Sequence, residues 1–290
     1  FPLRLYSFTG TRAGEAPVIY DPLLSEATCV DMKRSLMNAG YLNADVSYTT
    51  KNRRKPKTAL SFNLQPGKMF IVDTIRITVQ DGELERIINE NSGQTLLVRG
   101  MNLDASVLND ERNRIVGLAR KYGYYRFNRD YISFVADTVK GSDKVGLNMI
   151  VAAESVDDDG TVHPHRPYTI SSVDYYLSDK NGNTPGSDMP ARIDTCESFR
   201  LIYPGKDSRP ALRPRIIDIH SFLRQGMEYD SDSISQTYMS LSRLGILKYS
   251  NVSFEDVPGQ DNSLKANVLM VSLPKHSFSF EVEGTNTAGD

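Results

Sequence analysis

The sequence predicts an α+β protein built from tandem strand–helix–helix–strand–strand modules, and three observations carry that expectation. Helix-like segments end alike at "SLMNAGYL" (35–42), "LARKYGYY" (118–125) and "LSRLGILK" (241–248): an apolar face, then Gly40, Gly123 or Gly245, then an aromatic or aliphatic residue. Behind each comes a pair of short alternating segments, the pattern of a hairpin with one buried face: "DVSY" with "ALSFNL", "YISF" with "VGLNMIV", and "NVSF" with "ANVLMV". Ahead of the second and third helices stands the same Gly-Met-x-(Leu/Tyr)-Asp stretch, at Gly100 and Gly226. Self-similarity of this kind marks tandem structural units.

Each element follows from its residues. Asp21 is placed to cap the first helix with Pro22 at its first turn, Asp104 to cap the second, and Ser233 with Gln236 has capping-box spacing in the third. The second helix puts Ile115, Leu118, Ala119 and Tyr122 on one stripe. Its terminal glycine, Gly123, suits the left-handed conformation that a Cβ resists, so the next residue folds back: Tyr41 onto Leu36, Tyr124 onto Leu118 and Ala119, Ile246 onto Leu241. Entry strands precede the second and third helices, with Ile75, Ile77 and Val79 alternating in one and Val173, Tyr175 and Leu177 in the other. Short helices, "ELERIINE" (83–90) and "PRIIDIHSFLRQ" (214–225), lie between entry strand and capped helix.

The expected division is a first module over 1–69 with a reduced start, a second over 70–167, and a third over 168–274. The third carries an insertion at 178–215, rich in Gly, Pro, Ser and Asp, that reads as a loop in which "SFRLIY" (198–203) forms an extra strand. The last segment, 275–290, alternates Phe278, Phe280 and Val282 against Ser279, Glu281 and Glu283. That period suits the first strand of a membrane β-barrel whose remainder lies beyond Asp290. An isolated amphipathic strand of a soluble protein has the same pattern.

Composition narrows the function classes. Lys+Arg 34 against Asp+Glu 36 gives a net charge of −2, which argues against nucleic-acid binding. Two cysteines make neither a disulfide framework nor a zinc ligand set; Cys29 shares a helix face with Met32 and Leu36, and Cys196 is assigned no role. The start at Phe1 has no signal-peptide pattern and looks like a cut edge. No nucleophile elbow, phosphate loop or zinc-protease motif occurs, so no catalytic residue, cofactor or metal site is expected. His163 and His165 in "DDDGTVHPHRP" (157–167) would bind metal only with further ligands converging, and the stretch reads as a solvated linker. "KNRRKPK" (51–57) reads as a soluble hairpin tip.

The three Gly-(Tyr/Ile) helix ends with their hairpins resemble the POTRA domains of the Omp85 superfamily, the periplasmic arms of outer-membrane assembly proteins of the BamA and TamA type. "GEAPVIYD" (14–21), "GYYRFNRDYISFVADT" (123–138) and "HSFSFEVEGTNTAGD" (276–290) look more like its TamA-like lipoprotein branch, TamL. The resemblance covers nearly the whole chain; the insertion, the incomplete first module and the missing barrel depart from the pattern.

The resemblance implies a periplasmic region at the outer membrane. It would receive unfolded outer-membrane proteins and periplasmic or inner-membrane partner subunits, and pass them to the attached barrel. Contact would come by β-augmentation at the first strand of each hairpin. Val46 and Tyr48, Ile132 and Phe134, and Val252 and Phe254 mark those strands, their side chains facing the helices and their backbone edges open. Two other classes remain: a soluble tandem-repeat adhesion or surface-binding protein without a barrel, and, more distantly, an enzyme using 157–167.

Overall fold

The computed structural model describes residues 20–53, 57–138, 141–178, 191–205, 210 and 212–273. The chain forms two compact units, one of Phe1–Gln80, Glu90–Arg114 and Ile132–Ala152, the other of Asp81–Asn89, Ile115–Tyr131 and Ala153–Asp290.

In the first unit, α1 (Pro22–Asn38) starts where expected: the Asp21 carboxylate accepts the Leu23 N–H at 2.9 Å, and Pro22 occupies the first helical position. Cys29, Met32 and Leu36 form its half-buried side. At its end the Tyr41 N–H returns to the Leu36 carbonyl at 3.0 Å, the six-to-one closure that needs a left-handed residue between. Gly40 supplies it, with φ +97°. Next come β1 (Asp45–Arg53) and β2 (Lys57–Gln65), an antiparallel hairpin with Tyr48 opposite Phe62. A three-stranded sheet follows, built from β3 (Ile71–Val79), β4 (Ile132–Thr138) and β5 (Lys144–Val151) in the order β3–β5–β4. β3 runs parallel to β5 and β4 antiparallel to it. Every second residue of β5 is buried, Val145, Leu147, Met149 and Val151.

In the second unit, α2 (Gly82–Glu90) buries Leu84, Ile87 and Ile88. From α3 (Ala105–Lys121) it takes the C-terminal half, which buries Ile115, Val116 and Ala119. Tyr122, expected on that stripe, is exposed because α3 ends one residue earlier. Tyr124 is buried instead, its N–H bonded to the Ala119 carbonyl at 3.1 Å. β6 (Ser155–Val156) and β7 (Val162–His163) form a small hairpin.

The main sheet of this unit has five strands in the order β11–β12–β8–β10–β9: β8 (Thr169–Leu177), β9 (Ala191–Thr195), β10 (Arg200–Pro204), β11 (Leu247–Asp256) and β12 (Ser263–Ser272). Two helices accompany it, α4 (Pro214–His220) and α5 (Ser231–Ser242). An apolar core joins Val173, Tyr175 and Leu177 of β8 to Leu201 and Tyr203 of β10, Ile217 of α4, Leu241 of α5, and Ala266, Val268 and Met270 of β12.

Four further expectations for this unit are corrected. The insertion at 178–215 is more than a loop with one added strand: β9 and β10 form a hairpin, and β10 joins the sheet parallel to β8. The helix expected over 214–225 stops at His220, because Leu223 turns into the core and Phe222 donates its N–H to the Thr237 hydroxyl. The α5 cap is Asp230, whose carboxylate takes the N–H groups of Asp232 and Ser233, so Ser233 is not the cap. Ile246 is exposed and Leu247 takes the buried place after the helix, since the glycine here closes no six-to-one bond; its N–H reaches only the Ser242 carbonyl at 3.5 Å. The barrel-like segment 275–290 lies outside the described residues.

Candidate partner-binding edges

A strand bonded on one side leaves a row of N–H and C=O groups free on the other. Among the described strands, β1 bonds only to β2, β4 only to β5 and β11 only to β12. These strands hold the six residues singled out in the sequence. Tyr48 is half-buried, its ring 6.4 Å from Phe62, with Val46 in line beside it. Ile132 is buried; its carbonyl accepts the Arg112 side chain at 2.9 Å, and the same guanidinium lies 5.2 Å over the Phe134 ring. Val252 and Phe254 pack on the core side, Phe254 within 5.5 Å of Tyr125 and 5.4 Å of Tyr229. All six side chains are therefore committed to packing, and what the strands offer a partner is backbone.

Ahead of β1 and β4 stands a joint that occurs twice. In the first unit the Gly40 carbonyl accepts the Phe70 N–H at 2.9 Å, and the Phe70 carbonyl accepts the Leu103 N–H at 2.9 Å. In the second, the Gly123 carbonyl accepts the Tyr168 N–H at 2.9 Å, and the Tyr168 carbonyl accepts the Tyr229 N–H at 2.8 Å. The glycines thus do more than stop helices; they receive the strand that follows. A Cβ on Gly40 would sit 2.9 Å from the Leu103 carbonyl oxygen, and one on Gly123 would sit 2.8 Å from Pro167. Tyr125, next in the signature, meets Tyr168 at 5.7 Å and Tyr229 at 5.1 Å, both edge-on. Neither contact was legible in the sequence beyond the recurrence of Gly-Tyr.

The Gly-Met-x-(Leu/Tyr)-Asp stretch works through the same joint. Val72 exchanges backbone bonds with Gly100 and Met101, and Ile170 does so with Gly226 and Met227. The Met101 sulfur accepts the Val98 N–H at 3.4 Å and the Met227 sulfur accepts the Arg224 N–H at 3.1 Å. The polarisable thioether closes a turn in both repeats. Asp104 takes the Ser106 N–H and hydroxyl, both at 2.7 Å, and these bonds hold its carboxyl below the usual range.

The stretch 157–167 is exposed, as expected, except at one residue. His163 pairs with Asp157 at 2.7 Å on the surface, but His165 is buried, its ring edge-on to Phe127 and Tyr131 at 5.0 and 4.5 Å. Its backbone N–H donates to Asp81 Oδ2 at 2.8 Å, while Asp81 Oδ1 caps α2 through Glu83 and Leu84. The two histidines are thus held apart in role, and no group of three or more candidate metal ligands occurs among the described residues. No described helix is long and apolar enough to cross a membrane.

No protein-family model and no curated protein matches this chain. Among solved structures it is similar to POTRA domains 3–5 of BamA from Haemophilus influenzae, with 13% identity, TM-score 0.45, and coverage of 85% of this chain and 80% of that one. BamA from Haemophilus ducreyi lacking POTRA domains 1–3 gives 13% identity and TM-score 0.47 over 70% of this chain, which spans 29% of that one. POTRA domains 1–3 of the periplasmic domain of Omp85 from Anabaena give 14% identity and TM-score 0.28 over 93% and 88% of the two chains.

Proposed function

We propose that this chain is a POTRA-type periplasmic region of an outer-membrane assembly or translocation factor of the Omp85 superfamily, in its TamA-like lipoprotein branch. Its role is non-enzymatic: it takes up extended segments of unfolded outer-membrane proteins or of partner subunits and presents them to an attached β-barrel. The reading divides the chain at 1–69, 70–167, 168–274 and 275–290, the last being the opening barrel strand. Support for the boundaries comes from the repeated joint, whose entry residues are Phe70 and Tyr168.

The observation that carries the proposal is that β4 and β11 occupy the same place in the two repeats. Each is the first strand of the hairpin that follows the capped helix, bonded on one side and packed through alternate side chains. Such a strand offers affinity through its backbone without disturbing its own core. The test is a nuclear-magnetic-resonance titration of the labelled chain with a synthetic ten-residue strand from an outer-membrane β-barrel. Shift changes concentrated along Ile132–Thr138 and Leu247–Asp256 are expected. No binding at about 1 mM peptide, an affinity weaker than ~4 kcal/mol, would reject the reading.

A further inference from the structure

The two entry strands are built alike but end up in different surroundings. β3 and β8 both carry a register shift after their second residue, between Val72 and Thr74 and at Ile170–Ser172. Both also make an isolated antiparallel bridge to the Gly-Met stretch, Ile71 to Asn102 and Thr169 to Glu228. These shared features align Arg76, Ile77 and Thr78 of β3 with Asp174, Tyr175 and Tyr176 of β8.

On β8 those three positions are the ones that pair with β10, as Asp174 with Arg200, Tyr175 with Leu201 and Tyr176 with Ile202. On β3 no strand lies there among the described residues, since β3 bonds only to β5 beyond the bridge at Ile71. The core records the difference. Tyr175 is 0% exposed with Leu201 beside it, whereas Ile77 is 37% exposed although it shares a face with the fully buried Met149. Asp174 is buried and holds the Arg200 guanidinium by two bonds at 2.7 and 2.6 Å, with Lys265 at 3.3 Å. Arg76, its counterpart, is exposed.

We infer that the open edge of β3 at Arg76–Thr78 is a second docking edge, taking an extended segment of a partner protein that runs parallel to β3 as β10 runs parallel to β8. The chemistry of the occupant follows from the aligned pairs. An acidic residue stands opposite Arg76, an apolar residue of leucine size opposite Ile77, and a second apolar residue two places on, where Tyr203 lies in β10. The acidic residue inverts the charge order seen at Asp174 and Arg200. Parallel pairing suits a buried edge, because the incoming apolar side chains cover Ile77 while the backbone bonds form. The inference rests on the augmentation reading above but places the contact on the entry strand, at the opposite side of the sheet from β4.

The probe is a fluorescent peptide, Ser-Phe-Glu-Leu-Ile-Tyr-Pro-Gly, which is the Ser198–Gly205 sequence with Glu in place of Arg200. The unaltered Arg version and a scrambled version serve as controls. The full chain carries p-benzoylphenylalanine at position 77 or, separately, at position 134. Crosslinking at 77 and not at 134 is expected. The Glu peptide should bind about fivefold more tightly than the Arg peptide, with the order reversed by Arg76→Glu, as exposed charge pairs allow. Ile77→Asp should weaken binding about tenfold.

The crosslinking readout stands even if the aspartate variant folds poorly. Capture at 134 alone would overturn this edge while leaving the augmentation reading intact. Capture at neither position would overturn both, while no preference between Glu and scrambled peptides would overturn this edge alone. A crosslink at 77 to the chain itself, or to a second copy at twice the mass, would replace the partner segment with that occupant.

Discussion

The three-stranded sheet ends at β3, while the five-stranded sheet continues past the equivalent β8 with β10 and β9. The same strand design is therefore an edge in one repeat and an interior strand in the other. Tyr175, enclosed on β8, has its phenol pushed up to about 12 by burial, and the hydroxyl finds Ser221. Ile77 has no such enclosure. The contrast teaches that an insertion in a tandem repeat can act as a permanent ligand for its own sheet.

A second difference is chemical. The segment before each Gly-Met stretch is held to the capped helix at one matched position. In one repeat the buried Glu111 accepts the Leu96 N–H at 2.9 Å and the Thr95 hydroxyl at 2.8 Å, with Arg114 forked onto it at 2.7 and 2.8 Å. In the other the buried Thr237 accepts the Phe222 N–H at 2.9 Å and donates to the Ser233 carbonyl at 2.8 Å. A charge-assisted clasp stands where the other repeat uses a neutral hydroxyl.

The largest expected effect breaks that clasp. Glu111→Ala, leaving Arg114 without its buried partner, costs about 3–4 kcal/mol in urea unfolding, against about 1–2 kcal/mol for Thr237→Ala. The two sites also separate by pH. Burial opposes ionisation of Glu111, but the Arg114, Leu96 and Thr95 bonds outweigh it, so its carboxyl titrates below the usual range. A lowered folded-state value means the contribution is complete above the ordinary glutamate value near ~4.3 and disappears as acid protonates the folded carboxylate. Unfolding followed from pH 6 downward should show this loss in the parent and not in Glu111→Ala; an identical acid slope in both would refute the assignment.

Next in size, Leu201→Ala removes the side chain that seals β8 and costs about 3 kcal/mol, while Ile77→Ala on the open edge costs about 1 kcal/mol. Equal losses by calorimetry would mean that β3 is as enclosed as β8. Gly123→Ala places a Cβ at φ +95° and against Pro167. It should cost about 2 kcal/mol, with amide exchange quickened at Tyr168. Smallest are the caps: Asp104→Ala and Asp230→Ala should each cost about 1 kcal/mol by thermal melting, a match that sharpens the comparison by showing where the repeats do not differ.

The fold was legible where a local pattern decides it. Asp21 and Asp104 as caps, Gly40 and Gly123 as helix ends and the alternation of β5 need only neighbours in sequence. Candidate strands β4 and β11 were legible for the same reason. What stayed hidden depends on distant chain. Pro167 against Gly123, Asp81 reaching His165, and Leu201 opposite Tyr175 join residues far apart, and no spacing rule connects them. Leu223 misled for a related reason: its helical spacing was real, but the core beside Thr237 drew the chain out of the helix.

Asp81 has a consequence for how the molecule comes apart. One carboxylate secures the first turn of α2 with one oxygen and the backbone at His165 with the other. Fraying of the helix and release of that distant segment are then a single event. Hydrogen exchange at Leu84 and His165 should share one opening rate, and this helix start becomes as slow to open as the polypeptide it restrains.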